Sequence, residues 1–147
     1  MYSVTKKIER GFTLIELLVV IAIIGMLASV VLASLNTARS RGGDAAIKSN
    51  MATIQVQAEI YYDGTGNKTY GTATAACDQM FADVTMAQAI AAINAANGAG
   101  SVVCNSSGSA YAVSSPLATS QALYWCVDSR GIKDESGTAL GAGTVCP

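Results

Sequence analysis

A long apolar run near the N-terminus dominates the pattern of polar and apolar positions along this chain. Residues 17–35 carry no formal charge, and Ser29 and Ser34 are their only polar side chains. About 20 residues of this kind span the hydrocarbon layer of a membrane as a helix. The pattern therefore predicts a membrane-spanning helix, with the carboxylate of Glu16 just before the uncharged stretch.

A second helical pattern follows the apolar run. Its apolar positions recur at spacings of three and four, which places them on one helix face that packs under a small sheet. Gly42 and Gly43 are poor helix residues, so we expect a bend or a weak turn there. The turn formers of residues 63–67, DGTGN, predict the end of the helix. The apolar face comprises Ile47, Met51, Ile54, Ala58 and Tyr61.

The rest of the chain predicts a small α+β head. Residues 68–100 are interpreted as a loop and a short helix, with Thr85 as N-cap, Met86, Ile90 and Ile93 on one side, and Asn97-Gly98 as the stop. The stretches SVVCN (101–105), SAYAVSS (109–115) and QALYWCVD (121–128) have strand character, and DSRG (128–131) predicts a turn. We expect an antiparallel sheet of three or four strands.

The distribution of charge orients the apolar run. Lys6, Lys7 and Arg10 precede it, and basic flanks stay on the cytoplasmic side, so the body of the chain should face outward. Residues 12–147 carry six basic and nine acidic residues, which gives no support for binding to nucleic acid.

Histidine and cysteine restrict the chemistry. The chain has no histidine, the commonest general base and nitrogen ligand. Its four cysteines all follow the apolar run, on the outward side of the membrane, where disulfides persist. The chain has no CxxC pair, the spacing that would indicate a zinc site. Four cysteines allow three disulfide connectivities. They are Cys77, Cys104, Cys126 and Cys146.

Glu16 discriminates between interpretations of the apolar run. A carboxylate inside an apolar helix costs roughly 2.5 to 3.5 kcal/mol on insertion scales, less near the interface, and generally marks a site with a partner. A secretory signal peptide cut after Ala33 and an uncut single-pass anchor are the alternatives. Both leave Glu16 unexplained.

The residues RGFTLIELLVVIAIIG, 10–25, resemble the type IV pilins and pseudopilins: a basic leader ending in glycine, then Phe12, then Glu16. The resemblance covers about residues 6–35. It implies that prepilin peptidase cuts after Gly11 and methylates the new N-terminal amine of Phe12. It also implies that Glu16 pairs with the N-terminal amine of a neighbouring subunit.

The same resemblance assigns roles along the chain and a pilin fold, in which a long N-terminal helix packs by its C-terminal half against a small sheet. Residues 1–11 would be the removed leader, 12–35 the transmembrane and filament-core helix, 36–62 its amphipathic continuation, and 63–147 the head. Gly25 lies where the helices of many relatives loosen on assembly. Many type IVa pilins have a proline shortly afterwards, where this chain has Ala33, which keeps the pseudopilins as an alternative.

The C-terminal part of the head carries two further expectations. We favour the pairs Cys77–Cys104 and Cys126–Cys146 because each closes a compact loop, and many pilins have a disulfide-bounded C-terminal region. Asp128, Asp134 and Glu135 cluster where major pseudopilins of type II secretion bind calcium. Their spacing matches no calcium loop, so we expect a solvated acidic loop and no metal or other cofactor.

The resemblance implies a structural subunit without catalytic residues. Its partners would be other copies of itself, prepilin peptidase, the inner-membrane assembly machinery, and the membrane before assembly. The alternative is a minor pilin or pseudopilin of a type II secretion or DNA-uptake system. A membrane-anchored enzyme or receptor is a third interpretation, but the head has no nucleophile and base at a recognisable spacing.

Overall fold

The structure, a computed structural model, describes residues 11–98 and 102–147. It contains two α-helices, one short 3₁₀ helix and four strands, and it divides into two compact units, one ending at Asn36 and one spanning Thr37–Pro147. The expected α+β class is confirmed. The elements are α1 (Leu14–Asp63), the 3₁₀ helix (Gln79–Ala82), α2 (Val84–Ala96), β1 (Val103–Ser106), β2 (Tyr111–Pro116), β3 (Tyr124–Asp128) and β4 (Lys133–Ser136).

Helix α1 continues through Gly42 and Gly43, so the expected weak turn does not form. Packing explains why a glycine is placed at position 43. A Cβ there would lie 2.8 Å from the Cβ of Ala118 and 3.0 Å from the carbonyl oxygen of Ala96, closer than atoms in proteins approach. The missing side chain thus allows α1 to pack closely, and this contact offsets the low helix propensity.

The predicted apolar face of α1 is confirmed. Ile47, Met51, Ile54 and Ala58 are fully buried, and Tyr61 packs against the same core while partly exposed. The helix ends at Asp63, as the turn formers predicted, and the amide of Gly64 donates to the carbonyl oxygen of Ile60.

Helix α2 begins two residues earlier than expected. Asp83, rather than Thr85, is the N-cap, because its carboxylate accepts from the amides of Thr85 and Met86. The helix stops at Asn97, and Gly98 follows with a φ of +89°, as predicted. Its inward side chains, Met86, Ile90 and Ile93, are buried.

The four strands form one antiparallel sheet in the order β1-β2-β3-β4. Strand β4 was not predicted, since its sequence KDES is charged. Asp134 and Glu135 were expected in a solvated loop, but they lie on this edge strand and remain exposed. Charged side chains suit an edge strand because they discourage pairing with another chain.

Both faces of the sheet are covered. Cys104, Val113 and Val127 are paired across three strands and face the core shared with α1 and α2. On the opposite face Ala112 and Cys126 pack against Leu140 and Cys146 of the C-terminal segment. We call residues 137–147 the C-terminal segment. It covers a face that would otherwise meet solvent.

Candidate functional site

The residues that the sequence assigned to processing lie at the start of the described chain. Gly11 and Phe12 precede α1 and are exposed, with Phe12 85% accessible to solvent. The preceding leader residues, including Lys6, Lys7 and Arg10, lie outside the described residues. Exposed, non-helical chain of this kind is accessible to a peptidase.

Glu16 and Thr13 together cap the N-terminus of α1. The Thr13 amide donates to Oε2 of Glu16 over 2.8 Å, the Thr13 hydroxyl donates to the same oxygen over 2.7 Å, and the Glu16 amide donates to the Thr13 hydroxyl over 3.3 Å. This reciprocal arrangement is a capping box. Sequence reasoning missed it, although the spacing Thr-x-x-Glu at 13–16 is its signature.

The side chains in the apolar part of α1 are exposed in the described structure. Every described residue from Gly11 to Ala38 is exposed, including those with aliphatic side chains. A Cβ added at Gly25 would meet no other atom within 4 Å. Among the described residues, α1 is the one helix long and apolar enough to cross a membrane. An apolar surface of this extent requires lipid or other protein to cover it.

The family model that matches this chain decides what the N-terminal arrangement is. It describes the prokaryotic N-terminal methylation motif and matches residues 6–32. The chain carries the class III leader of type IV pilins and pseudopilins. The match to this leader includes Gly11, Phe12, Glu16 and Gly25, and it leaves the head outside. No curated protein and no solved structure gives a significant match.

A class III leader implies processing by prepilin peptidase and contact with pilus assembly machinery in general. Together with the apolar part of α1, it fits a membrane-anchored precursor in a prokaryote. The cleavage position, methylation of Phe12, the intersubunit pairing of Glu16 and loosening at Gly25 stay predictions.

The four cysteines form two disulfides in the head. Cys77 is bonded to Cys104 and Cys126 to Cys146, with Cα atoms 5.0 and 5.8 Å apart, and these are the pairs that the sequence favoured. The second bond joins β3 to the C-terminal segment. This bond bounds the C-terminal region of the head, as the resemblance to pilins implied.

Asp128 is the polar centre of this closure and not part of a solvated loop, as the sequence had suggested. Its carboxylate is fully buried. One oxygen accepts from the amides of Arg130 and Ile132, and the other from the Arg130 guanidinium and the Cys146 amide. Burial opposes the charge, but these donors hold the pKa of Asp128 below its usual value.

The acidic residues do not gather into a metal site in the described parts of the chain. No group of three or more histidine, cysteine, aspartate or glutamate side chains there could hold an ion. Asp128 is committed to its donors, whereas Asp134 and Glu135 lie on β4, where Glu135 accepts from Lys48 of α1 over 3.5 Å.

Replacement of Asp128 by asparagine is expected to destabilise the head by about 2 to 4 kcal/mol, because charge-assisted hydrogen bonds are lost and the Arg130 guanidinium faces an amide. The lowered folded-state pKa means that the stabilisation is present above the ordinary value of 3.8 and is lost as pH falls through the folded-state pKa. Denaturant unfolding of the full chain in detergent, measured from pH 7 to pH 2, checks both points.

Asp134→Asn is the matched control for this prediction, since Asp134 is exposed on β4. It should retain the stability and the acid dependence of the unaltered chain. Equal stability of the two variants at pH 7 would contradict the role given to Asp128.

Proposed function

We propose that this chain is a prepilin whose processed form is a structural subunit of a type IV pilus or a pilus-like extracellular filament. The observation that carries the proposal is the methylation motif over residues 6–32, with Glu16 at the start of an apolar helix whose side chains are exposed among the described residues. Residues 1–11 are removed, and residues 12–35 form the filament core.

Processing changes the electrostatics of the N-terminus. Cleavage after Gly11 removes Lys6, Lys7 and Arg10, which hold the N-terminus in the cytoplasm, and creates one new cation at the amine of Phe12. Each copy then has one acid and one base to pair between helices. Burying such a pair costs several kcal/mol before the attraction offsets it, so the pair favours correct register more than stability.

The properties of the head favour a subunit of an extracellular filament. Two disulfides suit a domain that persists outside the cell. There the head would set adhesion or other surface properties. Helix α1 and the described core provide a scaffold and no constellation of catalytic side chains.

A minor pilin or a pseudopilin of a type II secretion or DNA-uptake system is the second candidate. One observation favours it: α1 runs without interruption past Ala33, where many type IVa pilins have a proline. The candidates share the leader and differ in abundance, because a pilus is plentiful outside the cell and a minor component is not.

N-terminal sequencing and intact mass of protein sheared from the surface of producing cells test the proposal. We expect methylated Phe12 as the first residue of an abundant filament protein. A chain beginning at Ser34 would indicate signal peptidase, and retained Met1 would indicate an uncut anchor. Methylated Phe12 found only in membranes would favour the second candidate.

A further inference from the structure

A cavity of about 370 Å³ lies in the head between α1 and the turn that joins β3 to β4. Gln55, Val56 and Glu59 form its helix side, and Asp128 and Arg130 form its turn side. Tyr111 on β2 also lines it, and the cavity is open to solvent. The proposed function does not use this cavity.

The hydroxyl of Tyr111 marks the cavity as incomplete. Tyr111 is 0% exposed, and its hydroxyl has no hydrogen-bond partner among the described residues. A buried hydroxyl without a partner is costly, and such groups usually await a ligand or water. The ring is fixed by an edge contact with Tyr70, at 4.9 Å between centroids.

On the helix side of the cavity the polar side chains, Gln55 and Glu59, offer acceptors, and on the turn side two donors of Arg130 are directed to Asp128. Glu59 uses one carboxylate oxygen to accept from the Tyr70 hydroxyl over 2.9 Å and leaves the other without a partner in the described structure. Gln55 donates its amide nitrogen to the carbonyl oxygens of Asp128 and Ile132, which leaves its own oxygen as an acceptor. The side chains of Gln55 and Glu59 thus each bring an acceptor oxygen to the residues that line the cavity, and the buried Tyr111 hydroxyl belongs to a third lining residue.

The charges of the cavity favour a cation. Asp128 is paired with Arg130, whose guanidinium lies 2.7 Å from it, so the charge of Glu59 remains. Burial raises the pKa of Tyr111, and the neighbouring carboxylates of Glu59 and Asp128 raise it further, as expected where nearby groups are negative. A planar guanidinium suits these acceptors better than an ammonium ion because it donates to several oxygens at fixed angles.

The chain itself carries unpaired arginines of the required kind. Lys48, Lys68 and Arg130 each have an acidic partner. In the described chain, Arg39 and Arg41 on α1 have none, and both are exposed. They are two residues apart, so they point to roughly opposite sides of the helix, and only one can serve a given neighbour.

An exposed apolar ridge borders the cavity. Val56 and Ile60 lie one turn apart on α1 and are 63% and 57% exposed, although they belong to the compact unit Thr37–Pro147. The aliphatic stem of an arginine packs well on such a ridge while its charged end enters the cavity.

We propose that the cavity beside Glu59 and Tyr111 binds the guanidinium of Arg39 or Arg41 from a second copy of this chain. The inference rests on the proposed function, which brings copies together. Glu59 lies eighteen residues beyond Arg41 and twenty beyond Arg39 on the same helix, so the two copies would be displaced along α1 by about 27 Å or about 30 Å respectively.

Charge reversal in producing cells tests the contact. Glu59→Arg alone should reduce sheared filaments by about tenfold or more, because two cations then face each other. Combination with Arg39→Glu or with Arg41→Glu should restore them for one arginine only. Lys133→Glu, an exposed reversal on β4, is the control and should not rescue. Failure of both combinations to rescue would overturn the proposal.

Tyr111→Phe separates binding from folding. Removal of a hydroxyl without a partner should leave the unfolding midpoint of the single chain unchanged or raised, whereas filament resistance to dissociation by salt should fall. A lower midpoint with unchanged filaments would assign the hydroxyl to folding and contradict the inference.

A photo-crosslinking amino acid in place of Val56 keeps this inference distinguishable from the proposed function. We expect a crosslink to residues 37–45 of a second copy, both in sheared fibres and in membranes. Absence of fibres from unaltered cells would defeat the proposed function, yet the membrane crosslink would still support the cavity contact. Fibres that begin with Phe12 but lack this crosslink would defeat the contact alone.

Discussion

Replacement of Glu16 by glutamine is expected to leave the precursor in the membrane and to reduce surface filaments by about 100-fold. Glutamine can occupy the same position of a capping box as glutamate, so the start of α1 should be preserved. The variant therefore removes the charge and keeps the cap. Insertion should be as efficient as before or better, because a neutral side chain costs less in lipid.

Two measurements check this expectation: immunoblotting of membranes for the cleaved chain, and quantitation of protein sheared from cells. Thr13→Ala is the matched control, because it removes the capping hydroxyl and keeps the carboxylate of Glu16. Its cost is about 1 kcal/mol of helix stability, and assembly should largely persist. Ordinary filament yield from the glutamine variant would contradict the intersubunit pairing.

Conversion of Cys126 and Cys146 to serine is the second large effect. Loss of a disulfide of this loop length is expected to cost roughly 2 to 4 kcal/mol. It should also release the C-terminal segment, which depends on this bond and contributes Leu140 to the smaller apolar cluster. The exposed outer face of the sheet would then include Ala112.

Denaturant unfolding and limited proteolysis with mass spectrometry measure the two consequences. The double variant Cys77→Ser/Cys104→Ser is the control: it should lose a similar free energy of unfolding and keep the C-terminal segment protected. Protection of residues 137–147 in the first variant would show that hydrogen bonds alone hold the segment.

The sequence predicted those features that depend on strong local patterns. The apolar run, the buried face from Ile47 to Ala58 and the end of α1 at Asp63 all follow from periodicity and turn formers. The leader motif is also local, which is why residues 6–32 identify it without the head.

The features that the sequence did not predict depend on contacts between distant residues. Gly43 resembles a helix breaker until Ala118 is found against it, and β4 resembles a loop until β3 pairs with it. Asp128 resembles a solvated acid until the amide of Cys146, eighteen residues away, donates to it. Residue spacing along the chain does not indicate which distant residues will lie against Gly43, β4 or Asp128.

Apart from the disulfide at Cys146 and the buried side chain of Leu140, the C-terminal segment is held by hydrogen bonds to its main chain. The side-chain amide of Asn105 donates to the carbonyl oxygens of Gly141 and Gly143, and Asp128 accepts from the backbone amide of Cys146. Between these anchors, most side chains point into solvent and only Leu140 is buried before Cys146. Mutations can therefore accumulate in this stretch with little effect on folding, so the surface that this segment presents can diverge while the head keeps its fold.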